Sequence, residues 1–342
     1  MLIILQSILW AIFGTILYRE KIVDENLPRL LGRTLYWVGV PLQIFFLARR
    51  SNFDQIALVP PLMTIVVILI GLALAIFVVE ILKQLVLAIA TRIVPQRQIE
   101  GLFLSIGLSM PLSTRQFIEH ATPDDKRGVG SFVLASILGN TGFIGLALIP
   151  SFVDPNYWSW IVLYGVAHNV LGSYGIGVLV ADHYSQSGAK HRQLNWFKQL
   201  QNLLFLPSLW AFAYGYFGRD IVLPSAIETT VSKAVLLVVP GAFILIGMQL
   251  SKLQQWQNIS LGIMPAMLKT LVVPAIAGVL FTLLGLKGEA RLVLVLMSSM
   301  PTAFASIILA EEYNLDRQVA ASSILLSTLA LPLVIFIWLT VF

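Results

Sequence analysis

The chain has 342 residues, of which 58% are apolar and only 11% charged. Soluble domains carry about 25% charged residues and cover their cores with them. Here 22 Lys and Arg with 17 Asp and Glu are too few, which excludes a soluble globular protein. The net charge of +5 lies mostly in the segments between apolar runs, so it reports orientation in a lipid bilayer and not a nucleic-acid partner.

The apolar runs are about 20 residues long, as a membrane helix requires, and lack the alternation of outer-membrane strands, so they predict an all-α integral membrane protein. In chain order they fall near 2–17, 34–48, 58–82, 129–150, 157–181, 200–217, 229–250, 261–284, 290–310 and 318–341. No basic residue precedes the first and no small-residue cleavage site follows it, so it is expected to be a retained span and not a signal peptide. Residues 101–113 are also apolar, but the segment is short and contains Pro111, which suits a re-entrant or surface-lying piece.

Basic residues test the number of spans. The segments after the first, third, fifth, seventh and ninth runs hold fifteen Lys and Arg, among them Arg19, Lys83, Lys190, Lys252 and Arg317. The opposite side holds five: Arg49, Arg50, Arg219, Lys287 and Arg291. The positive-inside rule then places both termini on the non-cytoplasmic side of the plasma, or inner, membrane. A span at 101–113 would move Lys190, Arg192 and Lys198 outside, against this pattern.

Ten spans divide into halves of five, an odd number, so two repeats must insert in opposite orientations. The first half is expected at 1–181, a central cytoplasmic loop at 182–199 and the second half at 200–342. Pro41 in the second run has a counterpart in Pro240 of the seventh, and Asn140 in the fourth has one in Pro301 of the ninth. The first interval is longer than the second by about 38 residues, which fits an insertion at about 95–127. A proline or a Gly-Asn-Thr-Gly sequence inside a span weakens backbone hydrogen bonds that lipid cannot replace. A single proline also serves simply to kink a packed helix. Asn140 among Gly139, Thr141, Gly142 and Gly145 reads instead as an unwound site, and Pro41, Gly139, Pro240 and Pro301 are the expected helix breaks.

GNTGFIG at 139–145, SMPTAFASIILAEEY at 299–313 and VPLQIFF early in the chain resemble the auxin efflux carrier family, which includes the plant PIN-type carriers and many bacterial permeases. The likeness runs over nearly the whole chain outside 95–127, without the long hydrophilic central loop of many plant members. It implies ten helices in two inverted halves, with helices four and nine broken and crossing in one domain and a second domain serving as scaffold. It also implies organic-anion transport by an elevator-like movement, and a homodimer.

The chemistry of a broken crossing fits an anion. Helix starts offer free N–H groups and about half a positive charge, enough to hold a carboxylate without a formal charge in the bilayer. Asn140, Thr141, Gly142, Ser299, Pro301 and Thr302 are therefore the expected substrate-binding residues, with the Ser298 hydroxyl beside them. Neither break holds an acidic residue, so proton coupling or uniport is expected ahead of sodium coupling; a sodium-coupled symporter of the bile-acid type is the alternative. Lys269, about nine residues into its run, either snorkels or acts near substrate. His168 is either a packed partner of Asn169 or a proton relay, and Glu311 either a solvated helix-end charge or a gate. With no cysteine, HExxH, GxSxG or phosphate loop, no metal, cofactor or enzymatic activity is expected. Nor is a receptor, for which no signalling module is visible.

Overall fold

The structure is a computed structural model that describes residues 2–51, 53, 58–92, 126–185, 201, 204–252 and 256–342. All but 126 and 127 of the stretch at 95–127, including 101–113, and all but 182–185 of the loop at 182–199 lie outside the described residues. The described part is helical throughout: α1 (Leu2–Arg19), α2 (Leu27–Arg50), α3 (Val59–Arg92), α4 (Lys126–Ile137), α5 (Thr141–Ser151), α6 (Pro155–Tyr184), α7 (Pro207–Phe217), α8 (Ser225–Lys252), α9 (Ile259–Leu283), α10 (Gly288–Ser298), α11 (Ala305–Glu312) and α12 (Arg317–Val341). By length and composition six of these can cross a membrane: α2, α3 over Val59–Gln84, α6, α8 over Ser225–Gln249, α9 and α12.

Six is fewer than the ten runs read from sequence, and part of the shortfall has a visible cause. The fourth run is split into α4 and α5 by residues 138–140, and the ninth into α10 and α11 by residues 299–304, so each gives two short helices. The helix of the sixth run is described only over Pro207–Phe217.

Local chemistry sets several of the boundaries. Asp316 caps α12 by accepting hydrogen bonds from Gln318 N at 2.7 Å and Val319 N at 3.3 Å. Asp154 accepts from Asn156 N at 2.8 Å at the entry to α6, where Pro155 needs no N–H partner. The proline at 274, near the start of the last part of α9, cannot bond the carbonyl of Thr270; that oxygen accepts instead from Trp338 Nε1 of α12 at 3.0 Å.

The helices pack in two groups. In one, α1 lies along α8 and α7 along α2. In the other, α4 is surrounded by α3, α6 and α12, while α10 packs on α9 and α6. Polar contacts join the groups: Gln43 Nε2 of α2 donates to Leu146 O of α5 at 2.7 Å, and the hydroxyls of Tyr36 and Tyr174 lie 2.9 Å apart between α2 and α6.

The α1–α8 contact is backbone against backbone. A Cβ at Gly247 would fall on the carbonyl of Ala11 and one at Gly14 on that of Ile244, while Thr15 Oγ1 donates to Gly247 O at 3.1 Å. Small residues permit this approach, which supplies dispersion where lipid gives helices no hydrophobic drive to associate. Gly247→Val is expected to separate the pair and lower the thermal midpoint of the detergent-purified protein by about 5 °C or more, the overpacking penalty of a tight contact. An unchanged midpoint would show that α1 tolerates displacement.

Candidate functional site

The site forms where the fourth and ninth runs are interrupted. Pro301 has no N–H to continue α10, and Asn140, at φ −77° and ψ 59°, stands outside helical geometry ahead of α5. The two interruptions then pair with each other. Asn140 N donates to Pro301 O at 2.7 Å, and Ala303 N donates to Leu138 O at 2.9 Å, giving an antiparallel bridge between Gly139 and Thr302. The broken stretches thus satisfy backbone groups that would otherwise be orphaned among buried apolar side chains.

Asn140 also caps α5. Its Oδ1 accepts from Phe143 N at 3.1 Å, and its main-chain carbonyl accepts from Ile144 N at 3.2 Å and Gly145 N at 3.1 Å. The second of these is the wide spacing of the π turn at Thr141–Gly145. The amide nitrogen of Asn140 has no hydrogen-bond partner among the described residues, although the side chain is buried. The hydroxyl of Thr141 is likewise buried and unpartnered. At Gly142 a Cβ would lie 3.3 Å from Asn169 Nδ2, so the absence of a side chain lets that amide approach the start of α5.

The hydroxyls on the other strand of the crossing are engaged. Thr302 Oγ1 donates to Ala135 O at 3.0 Å, and Thr302 N donates to Ser327 Oγ at 3.0 Å. Ser298 Oγ donates to Val295 O at 2.8 Å and Ser299 Oγ to Leu296 O at 2.9 Å, so both hydroxyls are spent on the last turn of α10. Of the residues expected to bind substrate, Asn140 and Thr141 therefore keep free polar atoms, Gly142 leaves space, and Ser299, Pro301 and Thr302 hold the crossing together.

Two further side chains reach the crossing from outside the breaks. Lys269 is only 2% exposed, so it does not snorkel; its Nζ donates to the carbonyl of Ser298 at the end of α10. His168, 1% exposed, places Nε2 3.4 Å from both Gly139 N and Ile137 O and stacks its ring on Tyr164 at a centroid distance of 6.1 Å. Its Nδ1 has no partner. His168 opens the π-helical stretch His168–Ile176 and Lys269 is the second residue of the π turn Leu268–Val272, where the widened turn turns side chains toward a neighbour.

The remaining candidates lie elsewhere. Neither Pro41 nor Pro240 breaks its helix: α2 runs past Pro41 behind a π turn at Leu35–Gly39, and α8 runs through Pro240. One face of each stretch is packed, at Val40 and Ile44 beside Pro41 and at Val238 and Ala242 beside Pro240, so a missing N–H there distorts a turn without opening the helix. Glu311 forms an ion pair with Arg317 across the turn from α11 to α12, with both side chains about half exposed.

Two comparisons bear on this arrangement. Residues 219–339, from the end of α7 through α12, match the family described as membrane transport protein. An uncharacterized transporter of Methanocaldococcus jannaschii is 27% identical over 215 residues, covering 61% of this chain and 67% of that protein.

Proposed function

We propose that the protein is a secondary carrier moving a small organic anion, a carboxylate, by elevator-type alternating access; the match to the membrane transport protein family over residues 219–339, the archaeal transporter relative and the three short motifs that resemble the auxin efflux carriers support this reading. In this reading the chain makes ten spans as two inverted five-helix halves in the plasma, or inner, membrane, with both termini on the non-cytoplasmic side. The observation that carries it is the start of α5 at the crossing, where the Thr141 hydroxyl is buried without a partner and the side chain of Asn140 makes its hydrogen bond through Oδ1, leaving Nδ2 to donate. Those groups donate hydrogen bonds, and a carboxylate accepts them. The division of the helices into two packing groups supports the elevator component, since α1, α2, α7 and α8 are suited to stay while the crossing group moves. A homodimer through the first group is part of the same reading.

The test is uptake of labelled mono- and dicarboxylates into proteoliposomes, with sodium, potassium or choline outside and imposed pH gradients. Saturable anion uptake that survives replacement of sodium by choline is the expected result. Strict sodium dependence would instead favour the bile-acid-type symporter, and transport of neutral or cationic solutes alone would reject the anion. Reporter fusions near residues 155 and 342 should report the non-cytoplasmic side and a fusion near 190 the cytoplasm; the reverse would reject the orientation.

A further inference from the structure

The crossing gathers not only helix starts but also helix ends. α4 closes at Ile137 and α10 at Ser298, and a helix end bears about half a negative charge on its last carbonyls. Ala135 O accepts from Thr302 Oγ1, and Val295 O and Leu296 O accept from the hydroxyls of Ser298 and Ser299, which leaves the carbonyl of Ser298 to a donor from another helix. Carriers with broken helices hold coupling cations on such carbonyl ends. Among the described residues no carboxylate pairs with Lys269, and its ammonium bonds directly to the Ser298 carbonyl. A second observation concerns the space around it. A Cβ at position 139 would lie 2.8 Å from Lys269 Cε and 2.9 Å from Nζ, so the missing side chain of Gly139, just past the end of α4, opens the slot in which the ammonium reaches the Ser298 carbonyl. His168, the other titratable group at the crossing, places Nε2 near Ile137 O and Gly139 N.

We infer that the Lys269 ammonium is a resident cation, filling from within the chain the position that a bound alkali cation takes at the carbonyl ends of broken helices. In its charged form it neutralises the end of α10, so the crossing needs no sodium to be assembled. This inference does not depend on which solute the protein carries, because it concerns the empty protein.

It is tested on the full chain, purified in detergent without substrate, by thermal unfolding in sodium, potassium and choline chloride at equal ionic strength. The wild type should have the same midpoint in all three. Lys269→Ala should unfold about 5 °C or more lower in choline, since it strips the cation from buried carbonyl ends, and should regain at least half of that loss in sodium or ethylammonium but none in ethanol. Lys269→Gln, which can still donate a hydrogen bond to Ser298 without charge, should remain as unstable as the alanine variant. The inference is overturned if the glutamine variant matches the wild type, if the alanine variant responds to no cation, or if sodium stabilises the wild type over choline. Should the alanine variant fail to fold, the glutamine and wild-type arms decide. Loss of anion uptake with a wild-type cation response would count against the transport proposal alone.

Discussion

Gly139→Val is expected to yield little folded protein. The added Cβ would meet Lys269 Cε at 2.8 Å and the carbonyl of Met300 at 3.4 Å, while the rest of the valine has nowhere to go between α9 and the other break. A lysine end on the surface would swing aside at little cost. This one is buried and bonded to Ser298, so displacing it strands a cation away from its acceptor, at about 3–5 kcal/mol by analogy with broken buried pairs. Gly139→Ala should show the same defect in milder form. Monodispersity on gel filtration and the thermal midpoint measure both, and a second change, Lys269→Ala, should partly restore the valine variant by vacating the slot. A valine variant as stable as the wild type would mean that the ammonium does not approach α4 as closely as the structure has it.

Asn140→Ala should fold but transport poorly. It removes the cap on Phe143 N, worth about 0.5–2 kcal/mol of stability, and it removes the free amide nitrogen at the start of α5. A hydrogen bond to a charged carboxylate contributes about 1.5–3 kcal/mol, so uptake at low anion concentration should fall roughly 10- to 100-fold. Asn140→Asp separates the two roles. Its carboxylate keeps the acceptor for Phe143 N, so the midpoint should return, while the lost donor and added negative charge should leave anion uptake at or below that of the alanine variant. Wild-type uptake by either variant would show that Asn140 serves the helix alone and that the solute binds elsewhere.

The position of the crossing is legible in the sequence because its determinants are local. Gly-Asn-Thr-Gly and Met-Pro-Thr-Ala each weaken a helix at their own residues, and the chain is interrupted at both. Pro41 and Pro240 carry the same local signal and leave their helices intact, because whether a missing N–H opens a helix depends on what packs beside it. Lys269 and His168 show the complementary limit. Each stands as a lone polar residue in an apolar run, which marks it as worth explaining but says nothing of its partner, since Ser298 and Ile137 belong to other helices. The hydroxyls at 298, 299 and 302 look free in sequence because a bond to a carbonyl in the preceding turn, or to one across the crossing, appears only in three dimensions. The count of ten spans presumes uninterrupted runs, and a run cut in two no longer meets the length that identifies a span.

The reciprocal bonds between Asn140 and Pro301 and between Leu138 and Ala303 have a mechanical consequence. Sliding one interruption past the other by a single residue would strand two donors and two acceptors where no solvent reaches, at a few kcal/mol for each group. The bridge therefore acts as a rivet: α4, α5, α10 and α11 share one pivot and are barred from shearing separately. Compliance in this part of the chain must lie at the outer ends of the half-helices, in the connections at 152–154 and 313–316, where helix gives way to turns and Asp154 and Asp316 restart the next element.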